Sequence, residues 1–177
     1  MTQVPRQITV ALVLLVCLGS LTHFTRLASP REVVFDEVTM GQYVRAYCCT
    51  GERVLDMHPP HAKLLIGAAA RLGGFDGSFS FEKIGVPYGD TPIFALRLVP
   101  ALAGILIPPL FLLLLMELGA SFPIAVLGGL TLALDNALLL ETRIIVWDGL
   151  LVASILGSLV CFLSAQRTPD RVTWRLI

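Results

Sequence analysis

Charged residues are scarce in this sequence. Aspartate, glutamate, lysine and arginine make up 15% of its 177 residues, whereas soluble domains carry about a quarter. The charge is balanced, with 13 basic and 13 acidic residues, so neither a basic surface for nucleic acid nor an acidic tail is indicated. Hydrophobic residues make up 55% of the chain and are concentrated in four blocks. These features indicate a membrane protein rather than a soluble domain with a large core.

Familiar catalytic signatures are also missing. The sequence contains no GxGxxG, no Walker loop, no GxSxG and no HExxH, so an enzyme of this kind would need a donor that is already activated and already in the membrane. No CxxC pair occurs, which argues against a structural zinc site. We expect the adjacent Cys48 and Cys49 to be ordinary residues, because a disulfide between neighbours is strained.

The four apolar blocks have about the length that crosses the hydrocarbon core of a bilayer, roughly 18 residues or more. A cleaved signal peptide is the alternative for the first block, but the apolar region of such a signal is normally about 7–15 residues. Short linkers after the second and third blocks predict antiparallel hairpins. The sequence thus predicts one all-α transmembrane domain with spans at 8–27, 93–116, 122–140 and 144–165, a large loop at 28–92 and a cytoplasmic tail at 166–177.

Basic residues flank the two ends of this domain and predict its orientation. Arg6 precedes the first block, and three arginines follow the fourth: Arg167, Arg171 and Arg175. Because positive flanks mark the cytoplasmic side, the large loop should lie outside. Arg97, Asp135 and Asp148 then fall near the outer ends of their spans, so the charges within the membrane should converge on the face that carries the large loop.

The large loop itself shows helical patterns. Its first apolar stripe recurs at i, i+3, i+4 and i+7 and comprises Met40, Tyr43, Val44 and Tyr47. A second helix should begin after Pro59-Pro60, because proline suits a helix start. Its apolar side should consist of Leu65, Ala68 and Leu72. Two short amphipathic helices beside a membrane are typical of helices that lie in the interface plane.

Two groups of ionisable residues in the large loop have both structural and functional interpretations. Asp36 and Glu37 could cap a helix and favour its positive end, or could act as a general base and its neighbour. His58 and His61 could bind a divalent metal, but two ligands do not make a site. Lys63 could extend toward water or meet a phosphate.

The charges within the predicted spans form a third group, made up of Arg97, Asp135, Arg143 and Asp148. A charged side chain in a membrane helix costs roughly 2.5–3.5 kcal/mol on insertion scales, which makes such residues functional candidates. They could form Arg–Asp pairs that hold helices together. They could also form a cationic pocket for the phosphate of a lipid-linked donor, because arginine grips phosphate bidentately.

Four segments together resemble the N-terminal part of protein O-mannosyltransferases, and especially their bacterial members, the phospholipid-carrier-dependent glycosyltransferases. These are "VVFDEVTMGQYVRAY", "DMHPPHAKLLIGAAARLGGFDGSFSFEKIGVPY", "ALRLVPALAGILIPPLF" and "LALDNALLLETRIIVWD". They come in the family's order and at its spacing, and they cover roughly 30–165. The resemblance implies the N-terminal part of a GT-C glycosyltransferase fold, in which a sugar moves with inversion from a polyprenyl-phosphate carrier to an acceptor hydroxyl.

The resemblance also implies roles for particular residues. The family's acidic pair corresponds to Asp36 and Glu37, with the aspartate as base. Its arginines correspond to Arg97 and Arg143, and Asp148 follows the second of these. The chain departs from the family in having Thr142 where serine is common and His61 before the lysine of the HPP element. It is also much shorter than such enzymes, which indicates an N-terminal part of a longer protein.

We therefore predict a mannose-like sugar transfer to a protein hydroxyl, with Asp36 and Glu37 as catalytic residues. Arg97, Arg143 and Lys63 are expected to bind the donor phosphate. The supporting residues are expected to be His58, Asp135 and Asp148. The predicted partners are a polyprenyl-phosphate-linked sugar and a protein or lipid acceptor, with no nucleic acid and no required cofactor, and a bacterial inner membrane is favoured over that of the endoplasmic reticulum. The alternatives are a lipid-modifying enzyme of the aminoarabinose-transferase type and an inactive membrane scaffold.

Overall fold

The computed structural model describes residues 5–56 and 58–167. Within these ranges the chain is helical and contains no named strand. The helices are α1 (Arg6–Phe24), α2 (Glu37–Arg45), α3 (His61–Leu72), α4 (Ile93–Glu117), α5 (Phe122–Ala133), α6 (Asn136–Glu141) and α7 (Asp148–Arg167), and a π-helical turn, Ala46–Thr50, follows α2 directly. The predicted tail at 166–177 lies almost entirely outside the described residues. The structure confirms the all-α membrane architecture.

Three helices of the described chain are long and apolar enough to cross a membrane: α1, α4 and α7. The third predicted span, 122–140, differs from the expectation because it is divided into α5 and α6. Asp135 causes the division, since its carboxylate accepts a hydrogen bond from the backbone N–H of Leu138 at 2.7 Å and starts a new helix. With 12 residues, α5 is about 18 Å long, which is shorter than the hydrocarbon core of about 30 Å.

Helix α4 lies at the centre of the bundle and packs against α1, α5 and α7. It approaches α1 closely at Gly19, where an added Cβ atom would lie 3.3 Å from the Cα atom of Ile105. Small residues therefore allow the two backbones to meet, as is common between membrane helices. The central position of α4 matters for function because it holds Arg97, in its first turns, inside the protein.

The large loop folds onto the end of the bundle where α4 begins. Its two ends pair through Val33, which donates to the carbonyl of Val86 at 3.0 Å and accepts from the N–H of Gly85 at 2.8 Å. A buried apolar cluster beneath this pairing joins the loop to α4 and to the segment before α7; it includes Val33, Val44, Ile66, Phe75, Phe81, Tyr88, Leu96 and Ile145. The loop is thus a packed part of the fold and not a linker.

Helix α3 begins at His61, as the preceding prolines predict, but it buries a different face from the expected one. Ile66 and Ala70 face the core, whereas Leu65 and Leu72 are exposed. The helix is apolar on both sides, so periodicity did not determine which side faces inward. The inward side also carries Lys63, which finds partners inside the loop, as described below.

The π-helical turn after α2 contains a disulfide between Cys48 and Cys49. The expectation that both are ordinary residues was wrong. The turn packs against α3, where an added Cβ atom on Gly67 would lie 3.2 Å from the Cβ atom of Cys48. The disulfide therefore lies at the contact between the two helices of the large loop.

Candidate active site

Glu37 and Arg97 form an ion pair that is completely buried. Both side chains are 0% exposed, and the guanidinium donates to both carboxylate oxygens of Glu37, from Nε at 2.7 Å and from Nη2 at 2.9 Å. Because a buried charge is tolerated when it is paired and hydrogen-bonded, this fork-shaped contact explains how a membrane helix holds an arginine. It also ties α2 to α4.

Every remaining polar atom of this pair is also satisfied. Glu37 accepts further hydrogen bonds from the Tyr88 hydroxyl at 3.0 Å and from the backbone N–H of Ile145 at 3.1 Å. Arg97 donates its Nη1 to the carbonyls of Leu27 and Pro30. Burial, and then the Glu37 carboxylate, raise the pKa of Tyr88, so it stays a neutral donor. The pair therefore joins the end of α1, the large loop, α4 and the segment before α7.

The expectation that Arg97 binds the donor phosphate and that Glu37 is catalytic stays a prediction. In the described chain the guanidinium is buried, and its donors are directed to Glu37 and to two backbone carbonyls. This geometry favours the alternative that charges within the membrane hold helices together, although the partner of the arginine is Glu37 rather than Asp135 or Asp148.

Asp36 has the opposite environment. It precedes α2 and is exposed, and no group in the described part of the chain makes a hydrogen bond to its carboxylate. The expected helix-capping bond from its side chain is absent. This carboxylate is next to the buried pair and open to solvent, which is the access that a general base needs.

Lys63 is buried as well, and it is surrounded by aromatic rings. Its ammonium lies 5.0 Å from the ring centroid of Trp147, with Tyr43 and Tyr47 at 5.7 and 5.5 Å. It donates to the carboxylate of Asp56 and to the carbonyl of His58. Such cation–π contacts are strongest where water is excluded. Lys63 therefore does not extend toward water, and it joins Asp56 and His58 to α3.

Asp56 is the partner that sequence reasoning missed. Burial opposes its ionisation, but hydrogen bonds from Lys63 and His58 outweigh this effect and lower the pKa of Asp56 to about 2. His58 donates from its backbone at 3.1 Å and packs its ring 5.2 Å from the ring of Trp147. Its supporting role is thus local. The sequence feature that could have indicated this pair is the DMHPP segment, in which a lysine follows the aspartate by seven residues.

Arg143 binds the end of α1 through backbone carbonyls. Nη1 donates to Thr22 at 3.1 Å, and Nη2 donates to Thr25 at 2.7 Å and to Arg26 at 3.2 Å. A cation at a helix C-terminus is stabilised by the helix dipole. Arg143 is half-buried, whereas Arg97 is fully buried. Burial lowers the pKa of Arg143, and the nearby positive charge of Arg97 lowers it further.

A buried histidine, which sequence reasoning also missed, completes this contact. His23 of α1 makes a hydrogen bond through Nε2 to the Thr142 hydroxyl at 2.9 Å. Its other ring nitrogen lies 2.8 Å from the carbonyl of Gly19. The sequence signal for this contact was a histidine inside an apolar block. The hydrogen bond of His23 holds Thr142, the residue before Arg143, against α1.

Asp135 and Asp148 form no ion pair with the described residues. Both side chains are exposed, and Asp135 caps α6. A metal site is not formed either: no group of three or more histidine, cysteine, aspartate or glutamate side chains comes together in the described ranges. His58 and His61 thus have no third ligand there. The structure brings together Asp36, Glu37, Arg97 and the segment that carries Arg143, while Asp135, Asp148 and Lys63 have other surroundings.

Comparison with known proteins places this arrangement in a family. Residues 13–177 match the family described as dolichyl-phosphate-mannose-protein mannosyltransferase. A protein O-mannosyltransferase 1 from Drosophila pseudoobscura pseudoobscura is 42% identical over 148 residues, which are 82% of this chain and 16% of the fly protein. A protein O-mannosyl-transferase 1 from Mus musculus is 37% identical over 174 residues, which are 96% of this chain and 23% of the mouse protein.

A solved structure is similar too. It is that of the S. cerevisiae protein O-mannosyltransferase Pmt1-Pmt2 complex bound to the sugar donor, and it matches with a TM-score of 0.88 and 30% identity. The match covers 97% of this chain and 24% of that chain. The chain therefore spans about a quarter or less of the length of these relatives. Fold, order of motifs and identity agree, and the chain belongs to the dolichyl-phosphate-mannose-protein mannosyltransferase family.

Proposed function

We propose that this chain supplies the catalytic base of an inverting mannosyltransferase. Mannose would move from dolichyl phosphate to a hydroxyl group on a protein, at the outer membrane–water interface. The observation that carries the proposal is the contrast between Asp36 and Glu37: the first carboxylate is exposed and unpartnered in the described residues, and the second anchors it through the buried pair with Arg97.

In this mechanism Asp36 removes the proton of the acceptor hydroxyl as its oxygen attacks the anomeric carbon. The bond from that carbon to the phosphate oxygen breaks, and the lipid phosphate leaves with the electron pair. Phosphate is a stable leaving group, so positioning and charge stabilisation matter more than its protonation. Of the three cations proposed for the phosphate, Arg143 is half-buried, whereas Arg97 and Lys63 are fully buried, so we assign the phosphate contact to Arg143.

The membrane of residence follows from the same proposal. The bacterial inner membrane favoured from the sequence is not supported, because the relatives described above are animal and fungal proteins whose family name specifies a dolichyl carrier. We propose the membrane of the endoplasmic reticulum, with the large loop in the lumen. For the sugar donor we accordingly propose dolichyl phosphate as the carrier, in place of the more general polyprenyl phosphate.

The inactive-scaffold alternative has one observation in its favour. Glu37, Arg97 and Lys63 all serve packing, so most of the candidate site is also what a structural remnant would keep. Asp36 separates the two possibilities, because its exposed carboxylate makes no contact that a scaffold would require.

The test is transfer of radiolabelled mannose by the purified protein in lipid nanodiscs. Dolichyl-phosphate-mannose and GDP-mannose would be compared as donors, with a serine- and threonine-containing peptide and a lipid hydroxyl as acceptors. We expect label in the peptide from the dolichyl donor alone. Transfer to the lipid hydroxyl would favour an enzyme of the aminoarabinose-transferase type. Absence of transfer from any lipid-linked donor would favour the inactive membrane scaffold.

A further inference from the structure

The residue before the proposed base has an unusual backbone. Phe35 has a φ angle of +48°, in the left-handed region, and its side chain is 63% exposed. Bulky residues are rare at positive φ because the Cβ atom crowds the neighbouring carbonyl. Glycine would adopt this conformation without that cost. Phe35 therefore has an unfavourable backbone conformation, and burial of its ring does not offset this cost.

The conformation of this turn does not depend on the phenylalanine ring. On one side, Val33 is paired with Val86 and Gly85. On the other, the N–H of Glu37 donates to the carbonyl of Val34 at 3.0 Å, and the N–H of Val34 donates to the Glu37 carboxylate at 3.0 Å. Hydrogen bonds on both sides thus fix the turn, and the exposed tip consists of Phe35 and Asp36.

We propose that Phe35 is a positioning residue for the acceptor, with its ring in contact with the carbon atoms around the acceptor hydroxyl. This inference rests on the proposed function. Inversion requires attack from the side opposite the leaving phosphate, so the base, the acceptor oxygen, the anomeric carbon and the phosphate lie in that order. Of the two neighbours of the base, Glu37 is buried and Phe35 is exposed on the same tip as Asp36, so Phe35 is the neighbour that can lie beside the acceptor. A serine or threonine side chain offers a methylene or methyl group that such a ring would cover.

The experiment compares Phe35→Gly with Phe35→Ala and with Ile84→Ala. Ile84 is an equally exposed apolar residue of the large loop, at 64%, and serves as the matched control. Phe35→Gly removes the ring and relieves the backbone, so its melting temperature should equal or exceed that of the unmodified protein. Phe35→Ala removes the ring and keeps the strained φ angle, so it should melt no higher than Phe35→Gly.

For both Phe35 variants we expect the KM for the acceptor peptide to rise by about tenfold, the scale of losing a substantial part of a buried phenylalanine contact. The KM for dolichyl-phosphate-mannose and all values for Ile84→Ala should stay unchanged. A parallel measurement of peptide binding by fluorescence anisotropy, with no donor present, should show the same tenfold loss.

Unchanged acceptor KM and unchanged peptide binding in Phe35→Gly would overturn the proposal, as would a rise in the donor KM alone. If the unmodified protein transfers nothing but binds peptide in a Phe35-dependent way, the acceptor contact stands and the proposed reaction falls. If it neither transfers nor binds peptide, both fall.

Discussion

The buried pair of Glu37 and Arg97 explains how two neighbouring carboxylates acquire different roles. One side chain of the DE sequence points into the protein and the next points out, because α2 begins between them. Glu37 meets a guanidinium, a phenol and a backbone N–H inside the fold, and Asp36 meets none of these. The inward carboxylate therefore fixes the position of the outward one.

Replacing Glu37 by glutamine should destabilise the protein strongly. The amide keeps the shape but leaves the Arg97 charge buried without a counter-charge, and breaking a buried pair in this way costs about 3–5 kcal/mol. Unfolding in denaturant, in detergent micelles, would measure the change. The exposed Glu32 provides the control, since Glu32→Gln should change stability by less than about 0.5 kcal/mol. Equal effects of the two changes would contradict the account.

The contact of Asp56 with Lys63 should make the attachment of Asp56 and His58 to α3 sensitive to acid. The folded pKa of Asp56, about 2, is below the ordinary value of 3.8, so its contribution to stability is complete above that ordinary value and is lost as the pH falls through 2. Trp147 fluorescence, measured with Trp174→Phe to remove the other tryptophan, should report this loss between pH 4 and 2.

Two substitutions control this titration. Asp56→Asn should abolish the change in Trp147 fluorescence, whereas Asp76→Asn, which removes a carboxylate that accepts from the N–H of Ser78, should leave it in place. A transition that survives in Asp56→Asn would show that another group is responsible.

The sequence alone identified the residues of the candidate site but not the contacts between them. The DE pair, Arg97 and Arg143 were all identified, because ionisable residues in an apolar chain are conspicuous. Their pairing was not, because Glu37 and Arg97 are 60 residues apart and spacing carries no information on such a contact. The face of α3 and the disulfide were missed for related reasons: both depend on what packs against the element.

At the scale of the elements, the end of α1 is held by the segment between α6 and α7. Arg143 binds three carbonyls at the helix end, and His23 binds Thr142 one residue earlier in that segment. The same segment reaches Glu37 through the N–H of Ile145. Because these contacts are contiguous, the position of α1 and that of the Asp36 turn are coupled.

Thr142→Val should weaken this attachment, because valine has the same shape but leaves the buried His23 nitrogen without its partner. The expected cost is about 1–3 kcal/mol, the penalty for an unsatisfied buried polar group. Thr142→Ser keeps the hydroxyl and should cost clearly less. Thermal unfolding of the two variants gives the comparison, and a valine variant as stable as the serine variant would show that the His23 contact contributes nothing.

At the scale of the whole molecule, the two ends of the bundle differ in character. One end carries the large loop, the buried pair and Arg143. The other brings together Arg6 and Phe122, which line the same apolar groove of about 830 Å³ between α1 and α5. This groove contains none of the candidate site residues. The segment from α5 to Arg143 must therefore connect the two ends, although α5 alone is short.

Labelling of single cysteines should establish which end faces which side. In a background with Cys17→Ala and Cys161→Ala, we would introduce Leu55→Cys, at a side chain that is 99% exposed, and Ser121→Cys, between α4 and α5. In sealed microsomes with the cytoplasmic face outward, an impermeant maleimide should label position 121 directly and position 55 only after permeabilisation. The reverse pattern would overturn the proposed orientation.

The most direct test of the account is the activity of Asp36→Asn, measured beside its stability. Asparagine keeps the size of the side chain but cannot accept the proton of an acceptor hydroxyl. Mannose transfer from dolichyl-phosphate-mannose to a peptide should fall by roughly 10²–10⁴-fold, the usual contribution of a general base. The melting temperature should not change, because the Asp36 carboxylate accepts no hydrogen bond within the described chain. A variant that melts early and keeps its specific activity would show that Asp36 is a structural charge and that the base is another residue.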